Sequence, residues 1–310
     1  MYKRMLVPLD GSEFAEVVLP YACELAGRLD IEVVLLNIAR PEERGFYTPA
    51  HRAYINQTVE TIRRQALEVQ RKSGLPPDAK PVQVSGEMVV GYPEEEILRF
   101  TDANAVDLIV MATHGRAGTR HWDLGHVADK ILRQSKVPVL LVRAGVPDAI
   151  PYDQWPKKTI VVSLDGSELA ESVLPHVEAL AQQRGVDIEV TLLRACEPPA
   201  MPSYYAPEIS GVPLNWGQYM QQELARCRET AKEYLDKIEK RLREKNIKVT
   251  SEIPTSKAAD AIIDYATKNP FSLIVMTTHG RTGLRRLVYG SVAESVLFGI
   301  SNPIFLVRVQ

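Results

Sequence analysis

Cysteine is scarce: Cys23, Cys196 and Cys227 are the only three in 310 residues. They are scattered and lack metal-ligand spacing. The expectation is reduced thiols in a cytosolic protein, with neither a disulfide nor a zinc site. Long hydrophobic runs are missing as well. None reaches membrane-spanning length, and the short apolar stretch within Met1–Asp10 is too brief for a signal sequence. Charge of one sign is also lacking. The net charge is −2, so no global field draws the chain to nucleic acid or an anionic membrane. A Walker phosphate loop, a GxGxxG fingerprint and a metal-ligand cluster are all absent from the sequence.

What is present is a repeat. LDGSE at Leu9–Glu13 returns at Leu164–Glu168, and THGR at Thr113–Arg116 returns at Thr278–Arg281. Asp10 and Asp165 are 155 residues apart, whereas Gly115/Gly280 and Gly125/Gly290 keep an offset of 165. The second copy therefore gains ten residues between its signatures. Two fall in the turn Gln182–Val186, since Asp30 matches Asp187 at an offset of 157. The other eight are expected further on, in the segment after Cys196. A period this long means duplicated domains, and the length agrees with two.

Short runs rich in Val, Ile and Leu alternate with amphipathic stretches. Met5–Leu9, Val33–Ile38, Leu108–Met111 and Val137–Val142 match Ile160–Leu164, Val190–Leu193, Leu273–Met276 and Ile304–Val309. Nearly continuous apolar runs of this kind are strands buried on both faces, as in parallel sheets covered by helices. The weaker runs Val82–Val90 and Ile247–Ile253 supply a fifth strand per copy. Trp216, Met220, Leu224, Cys227, Ala231, Leu235, Ile238 and Leu242 recur at helical steps, and Ile55, Val59, Ile62, Ala66 and Val69 repeat the pattern. The fold class is α/β: two tandem doubly wound, Rossmann-like domains with five-stranded parallel sheets, at 1–146 and 157–310. Between them Pro147, Pro151 and Pro156 stiffen a connection. A second proline-dense stretch, Pro198–Pro213, follows a strand at the ligand edge of the sheet. It reads as an ordered surface loop, with a lid as the functional alternative.

Both signatures place a turn after an apolar strand. Asp10 and Asp165 fit helix N-caps, with Glu13 and Glu168 completing a capping-box-like pattern. As ligand residues, the same carboxylates can accept hydrogen bonds from a ribose or a base. In the later copy Thr277-Thr278-His279-Gly280 precedes Gly290-Ser291, and Ser291 with Glu294 reads as a capping box. Exposed N–H groups at such a helix start make an anion site. His114 and His279 read as turn-stabilising residues, since no nucleophile or acid is spaced as a partner.

This pattern resembles the universal stress protein family, whose nucleotide-binding members carry Gly-x2-Gly-x9-Gly followed by Ser or Thr. The likeness runs from the first strand and its Asp to the closing Pro-Val/Ile-x-Leu-Val-Arg strand of each copy. It implies a strand order of 3-2-1-4-5, with pairing through the last strands. In one chain that gives an intrachain pseudo-dimer, with a homodimer as a further option. It implies that the strand-one Asp and a backbone group after strand two meet the adenosine, and that the glycines and hydroxyl hold ribose and phosphates. Carried over, the later copy supplies Asp165, Ala195, Thr277, Gly280, Gly290 and Ser291, with Thr277 in place of the family's first glycine and Ser163 where the first copy keeps Pro8. The earlier copy supplies Asp10, Ile38, Ala112, Gly115, Gly125 and His126, departing at Ala112 and His126.

The span between the glycines adds Arg281, Arg285 and Arg286 in the later copy. In the earlier one it has Arg116 and Arg120 beside Asp123 and the bulky Trp122. The later copy is therefore expected to be the better site, the earlier one weak or empty. The implied function is a cytosolic protein binding an adenine nucleotide, ATP first, with Mg2+ as its accompanying ion, and acting by occupancy. The alternatives are a nucleotide-free interaction module and a slow ATP hydrolase. No catalytic residue is assigned.

Overall fold

A computed structural model describes residues 2–42, 49–76, 78–114, 124–146, 150–200, 216–278 and 289–308. The first half runs β1 (Arg4–Pro8), α1 (Glu13–Glu16), α2 (Leu19–Leu29), β2 (Glu32–Ala39), α3 (Pro49–Lys72), β3 (Val84–Val90), α4 (Pro93–Ala103), β4 (Leu108–Ala112), α5 (His126–Gln134) and β5 (Val139–Val142). The second repeats it as β6 (Lys158–Ser163), α6 (Glu168–Glu171), α7 (Leu174–Ala181), β7 (Ile188–Leu193), α8 (Trp216–Arg243), β8 (Lys248–Glu252), α9 (Ala258–Lys268), β9 (Ser272–Thr277), α10 (Ser291–Gly299) and β10 (Ile304–Val307). Each apolar run read from the sequence is a strand. The central ones are buried on both faces, β4 and β9 at every residue, whereas the edge strands β3 and β8 each have one buried residue and are otherwise half-buried or exposed. That exposure admits polar residues and makes them the weaker signals.

The two five-stranded sheets join into one, as pairing through the last strands implies. Its order is β3-β2-β1-β4-β5-β10-β9-β6-β7-β8, so each half keeps 3-2-1-4-5 and the halves join through their last strands. Within a half all neighbours are parallel. Across the joint β5 and β10 run antiparallel, with Phe305 opposite Leu140. Pairing these two strands removes two apolar edges that would otherwise invite aggregation. A core packs on each side of the sheet, and both draw residues from both halves.

Polar contacts reinforce the joint. Lys158 Nζ meets Glu24 Oε2 at 2.5 Å, and Arg28 Nε meets the same oxygen at 2.7 Å. Tyr2 Oη lies 2.5 Å from His176 Nδ1. The turn Gln182–Val186, which holds the two extra residues of the second copy, docks on the first half: Arg28 donates to the Arg184 carbonyl at 2.7 Å, and Arg184 reaches Asp30 at 2.6 Å. The described part of the proline-bearing connection, from residue 150 on, is folded too. Tyr152 stacks on Tyr21 at 4.7 Å between centroids, and Trp155 donates its indole N–H to the Ile150 carbonyl.

One expectation is overturned. Cys196 and Cys227 are joined in a disulfide, their Cα atoms 5.9 Å apart. Thirty-one residues separate them in sequence, but the sheet brings the end of β7 beside α8, a proximity that spacing alone does not reveal. Cys23 is a buried free thiol, pushed up to about 12 by burial. Among the described residues no helix is long and apolar enough to cross a membrane. Most of the stretch Pro198–Pro213 lies outside them.

Candidate functional site

The sheet grows in opposite directions from β1 and β4, and again from β6 and β9. Such a reversal opens a crevice at the carboxyl ends of the two strands. Asp10 and Asp165 follow β1 and β6, while Thr113 and Thr278 follow β4 and β9. Each crevice is thus flanked by one turn of each signature.

The Asp-Gly-Ser turns are built alike. Asp10 Oδ1 accepts from Ser12 N at 3.0 Å and from Ser12 Oγ at 2.6 Å. Asp165 Oδ1 accepts from Ser167 at 2.9 and 2.6 Å. Gly11 and Gly166 sit at φ of 78° and 86°, a region where an L side chain is strained. The left-handed glycine moves the cap two residues along, so the aspartates are not the N-caps expected. Ser12 and Ser167 cap α1 and α6 by accepting from Ala15 N and Ala170 N, and the aspartates hold those serines in place.

The second signature folds back on its strand. Gly125 N donates to the Thr113 carbonyl at 2.9 Å and Gly290 N to the Thr278 carbonyl at 2.7 Å. A Cβ on Gly125 would lie 2.7 Å from the Thr113 oxygen, so glycine is needed there for packing whatever binds. Gly125 and Gly290 are themselves the N-caps of α5 and α10, without side-chain caps. Ser291 is therefore the first helical residue and not a capping-box residue, as is His126 in the first half. Ala112 and Thr277 end β4 and β9, both buried. Ile38 lies near the end of β2 and Ala195 just beyond β7, both half-buried. His114 rests its ring nitrogen 3.1 Å from Thr113 Oγ1. Gly115, His279, Gly280, Arg281 and the rest of 116–123 and 282–288, including Trp122, Arg285 and Arg286, lie outside the described residues.

Three features escaped the sequence reading. A tyrosine from the long helix after strand two stands beside each Asp turn: Tyr54 donates to Glu16 at 2.7 Å. Burial first, then Glu16, holds its phenol well above the usual range. Burial first, then Glu171 of α6, does the same for Tyr234 of α8. The second is Arg194, which follows β7. Its guanidinium lies over the Tyr234 ring at 4.8 Å and 3.1 Å from where a Cβ on Gly166 would be. In the first half this position is Asn37, buried and donating to the Leu9 carbonyl at 2.9 Å. Reading the 157-residue offset one residue before Ile38/Ala195 would have exposed the pair.

The third is the charge at the helix starts. His126 Nδ1 is 3.9 Å from Glu94 Oε1, a carboxylate that opposes an anion beside α5. At the 165-residue offset the second half has Ala259. Both differences make the second crevice more receptive to negative charge.

The profile of the universal stress protein family matches residues 1–143 and again 157–308. Universal stress protein MJ0577 of Methanocaldococcus jannaschii is 30% identical over 155 residues, 46% of this chain and 96% of that protein. Universal stress protein Rv2005c of Mycobacterium tuberculosis is 21% identical over 316 residues, spanning 98% of this chain and 96% of that one. Among solved structures, the functionally unknown protein PA1789 of Pseudomonas aeruginosa superposes with a TM-score of 0.68 at 18% identity, over 99% of this chain and 92% of that one. That likeness speaks to the fold.

Proposed function

The chain belongs to the universal stress protein family, and from that membership and its second crevice we propose that it binds an adenine nucleotide, ATP first, through its C-terminal half. The observation that carries the reading is the start of α10. Gly290 opens that helix without a side-chain cap and with its own amide turned onto Thr278. The next N–H groups of the helix are left to phosphate oxygens, as helix starts commonly are. Ser291 adds a hydroxyl, and Arg194 adds positive charge near the Asp turn. Across the reversal Asp165 supplies an acceptor for the ribose or base. Amides and a hydroxyl at the start of α10, with a carboxylate and a guanidinium at the Asp turn across from them, suit a ligand with phosphates at one end and hydroxyls at the other. Thr277 narrows the ribose side, where the family carries glycine. Mg2+ enters as the ion that ATP phosphates carry.

The chain would act by occupancy. A bound nucleotide favours one arrangement of crevice and helices, and a partner reads that arrangement. The first crevice supports a different reading, that of an interaction surface without nucleotide, because Glu94 stands where phosphate charge would lie. Titration calorimetry with ATP tests both. Asp165→Asn keeps the turn's Oδ1 acceptor and removes the charge, and should weaken binding about tenfold, the size of one charged hydrogen bond. Asp10→Asn should change it less than about twofold. Equal losses, or no heat from the wild-type protein, would overturn the reading.

A further inference from the structure

We propose that the Cys196–Cys227 bond is a thiol–disulfide switch governing how tightly the second crevice holds its nucleotide, with Cys227 as the sulfur that small thiols modify. The inference rests on the nucleotide reading above and adds its regulation. Cys196 directly follows Ala195, is fully buried, and donates its amide to the Pro254 carbonyl at 2.8 Å. Cys227 lies on α8 and is only half-buried. Access therefore orders the chemistry.

A small thiolate attacks Cys227 Sγ, and the sulfur–sulfur bond breaks with its electron pair leaving on Cys196 Sγ. A mixed disulfide forms on Cys227. A second small thiol then displaces the first as a small-molecule disulfide. The protein gains two electrons and two protons, and two thiols are oxidised. A small disulfide drives the reverse.

The bond fastens the part of α8 that packing leaves loose. The buried residues of that helix are Ala231, Leu235, Ile238 and Leu242, and residues 216–230 contribute none. Upstream of Ala231 the disulfide is joined by the exposed contact of Arg228 with Thr255 at 2.7 Å. Two helical turns beyond Cys227, Tyr234 carries the Arg194 guanidinium, which in turn lies against Gly166 beside Asp165. Cleavage releases the upper turns of α8 from the buried strand end at Cys196, loosening the crevice wall that Tyr234 and Arg194 form. The oxidised protein is then the tighter binder.

The test is ATP calorimetry on the full chain, equilibrated with reduced or oxidised glutathione, with the disulfide read by mass after alkylation. A Cys23→Ala background removes the third thiol. Reduction should weaken ATP binding about tenfold, a common size for coupling between two sites. Cys227→Ser, checked for cooperative melting, should bind weakly in both buffers. Because coupling is reciprocal, saturating ATP should shift the glutathione equilibrium of the disulfide by the same factor. Affinities equal within about twofold, or a disulfide that glutathione leaves untouched, would overturn the switch while leaving nucleotide binding intact. No heat with ATP in either state would instead overturn the nucleotide reading and the switch with it.

Discussion

Removing one partner of the buried Glu24–Lys158 pair should destabilise both halves together, and unequally according to which partner goes. The side chains are 5% and 6% exposed. Glu24 Oε2 also accepts from Arg28 Nε, and Lys158 Nζ lies 4.3 Å from the centre of the Tyr152 ring. Burial pulls the lysine's pKa down, and the Glu24 hydrogen bond works against that shift. Breaking a buried pair by deleting one member costs about 3–5 kcal/mol, because a charge is left uncompensated. Lys158→Met leaves Glu24 still paired with Arg28 and belongs at the lower end, about 3 kcal/mol. Glu24→Gln strands two cations and belongs near about 5 kcal/mol.

An unfolding entropy of about 2.1 cal/mol/K per residue over 310 residues comes to about 0.65 kcal/mol/K. Each kcal/mol then lowers Tm by about 1.5 °C, giving losses of about 5 and 8 °C. Calorimetry should record one transition, since the pair bridges a shared sheet. The double variant should lose about 2 kcal/mol less than the sum of the singles. Single losses below about 1 kcal/mol, or additivity within about 0.5 kcal/mol, would refute the reasoning.

Two further outcomes follow from buried or strained groups. Burial holds the His176 pKa below its ordinary value, so the unfolded state takes up a proton first. The urea midpoint should be flat above the unfolded pKa of about 6.5 and fall as pH drops below it toward the folded pKa; His176→Gln should flatten that slope, and an unchanged slope would count against it. Gly166→Ala should cost about 1–2 kcal/mol through its φ of 86°. Gly74→Ala, at φ of 84° with nothing within 4 Å of the new Cβ, should cost the same in a urea titration but leave ATP affinity unchanged, whereas Gly166→Ala, by moving Arg194, should not.

The eight inner strands were legible because burial on both faces leaves little choice of residue: β4 reads LIVMA and β9 SLIVMT; the exposed edge strands β3 and β8 gave the weaker runs. The joint through β5 and β10 was legible only through the family resemblance, since an apolar last strand does not say what covers it. Periodicity had a similar limit in α8. Trp216, Met220 and Leu224 keep the helical spacing yet are only half-buried, because spacing defines a face without supplying a partner for it. The misread caps have a local cause: one left-handed glycine shifts a helix start by two residues. The disulfide and Arg194 depended on tertiary proximity, between a strand end and a helix that begins more than twenty residues later.

The polar links between the halves do not obey the repeat. At the 155-residue offset, the counterpart of Glu24–Lys158 would be Ala179 with Lys3, and that of Tyr2–His176 would be Lys157 with Tyr21. Ala179 cannot form an ion pair, and Lys3 is exposed. The turn Gln182–Val186 carries two residues the first copy lacks, and it is this turn that reaches Arg28 and Asp30. Two copies of the second half would lack Glu24, and two copies of the first would lack His176 and the Arg184 turn, so each half completes the other. The links also lie at one end of the strands. Lys158 opens β6, Tyr2 precedes β1, and the Arg184 turn precedes β7. Asp10, Asp165 and Arg194 follow the opposite, carboxyl ends, and Asn37 lies near the carboxyl end of β2. A change from Asn37 to Arg194, or from His126 to Ser291, therefore alters one crevice without touching the joint, which is how a single sheet can carry two crevices of different charge.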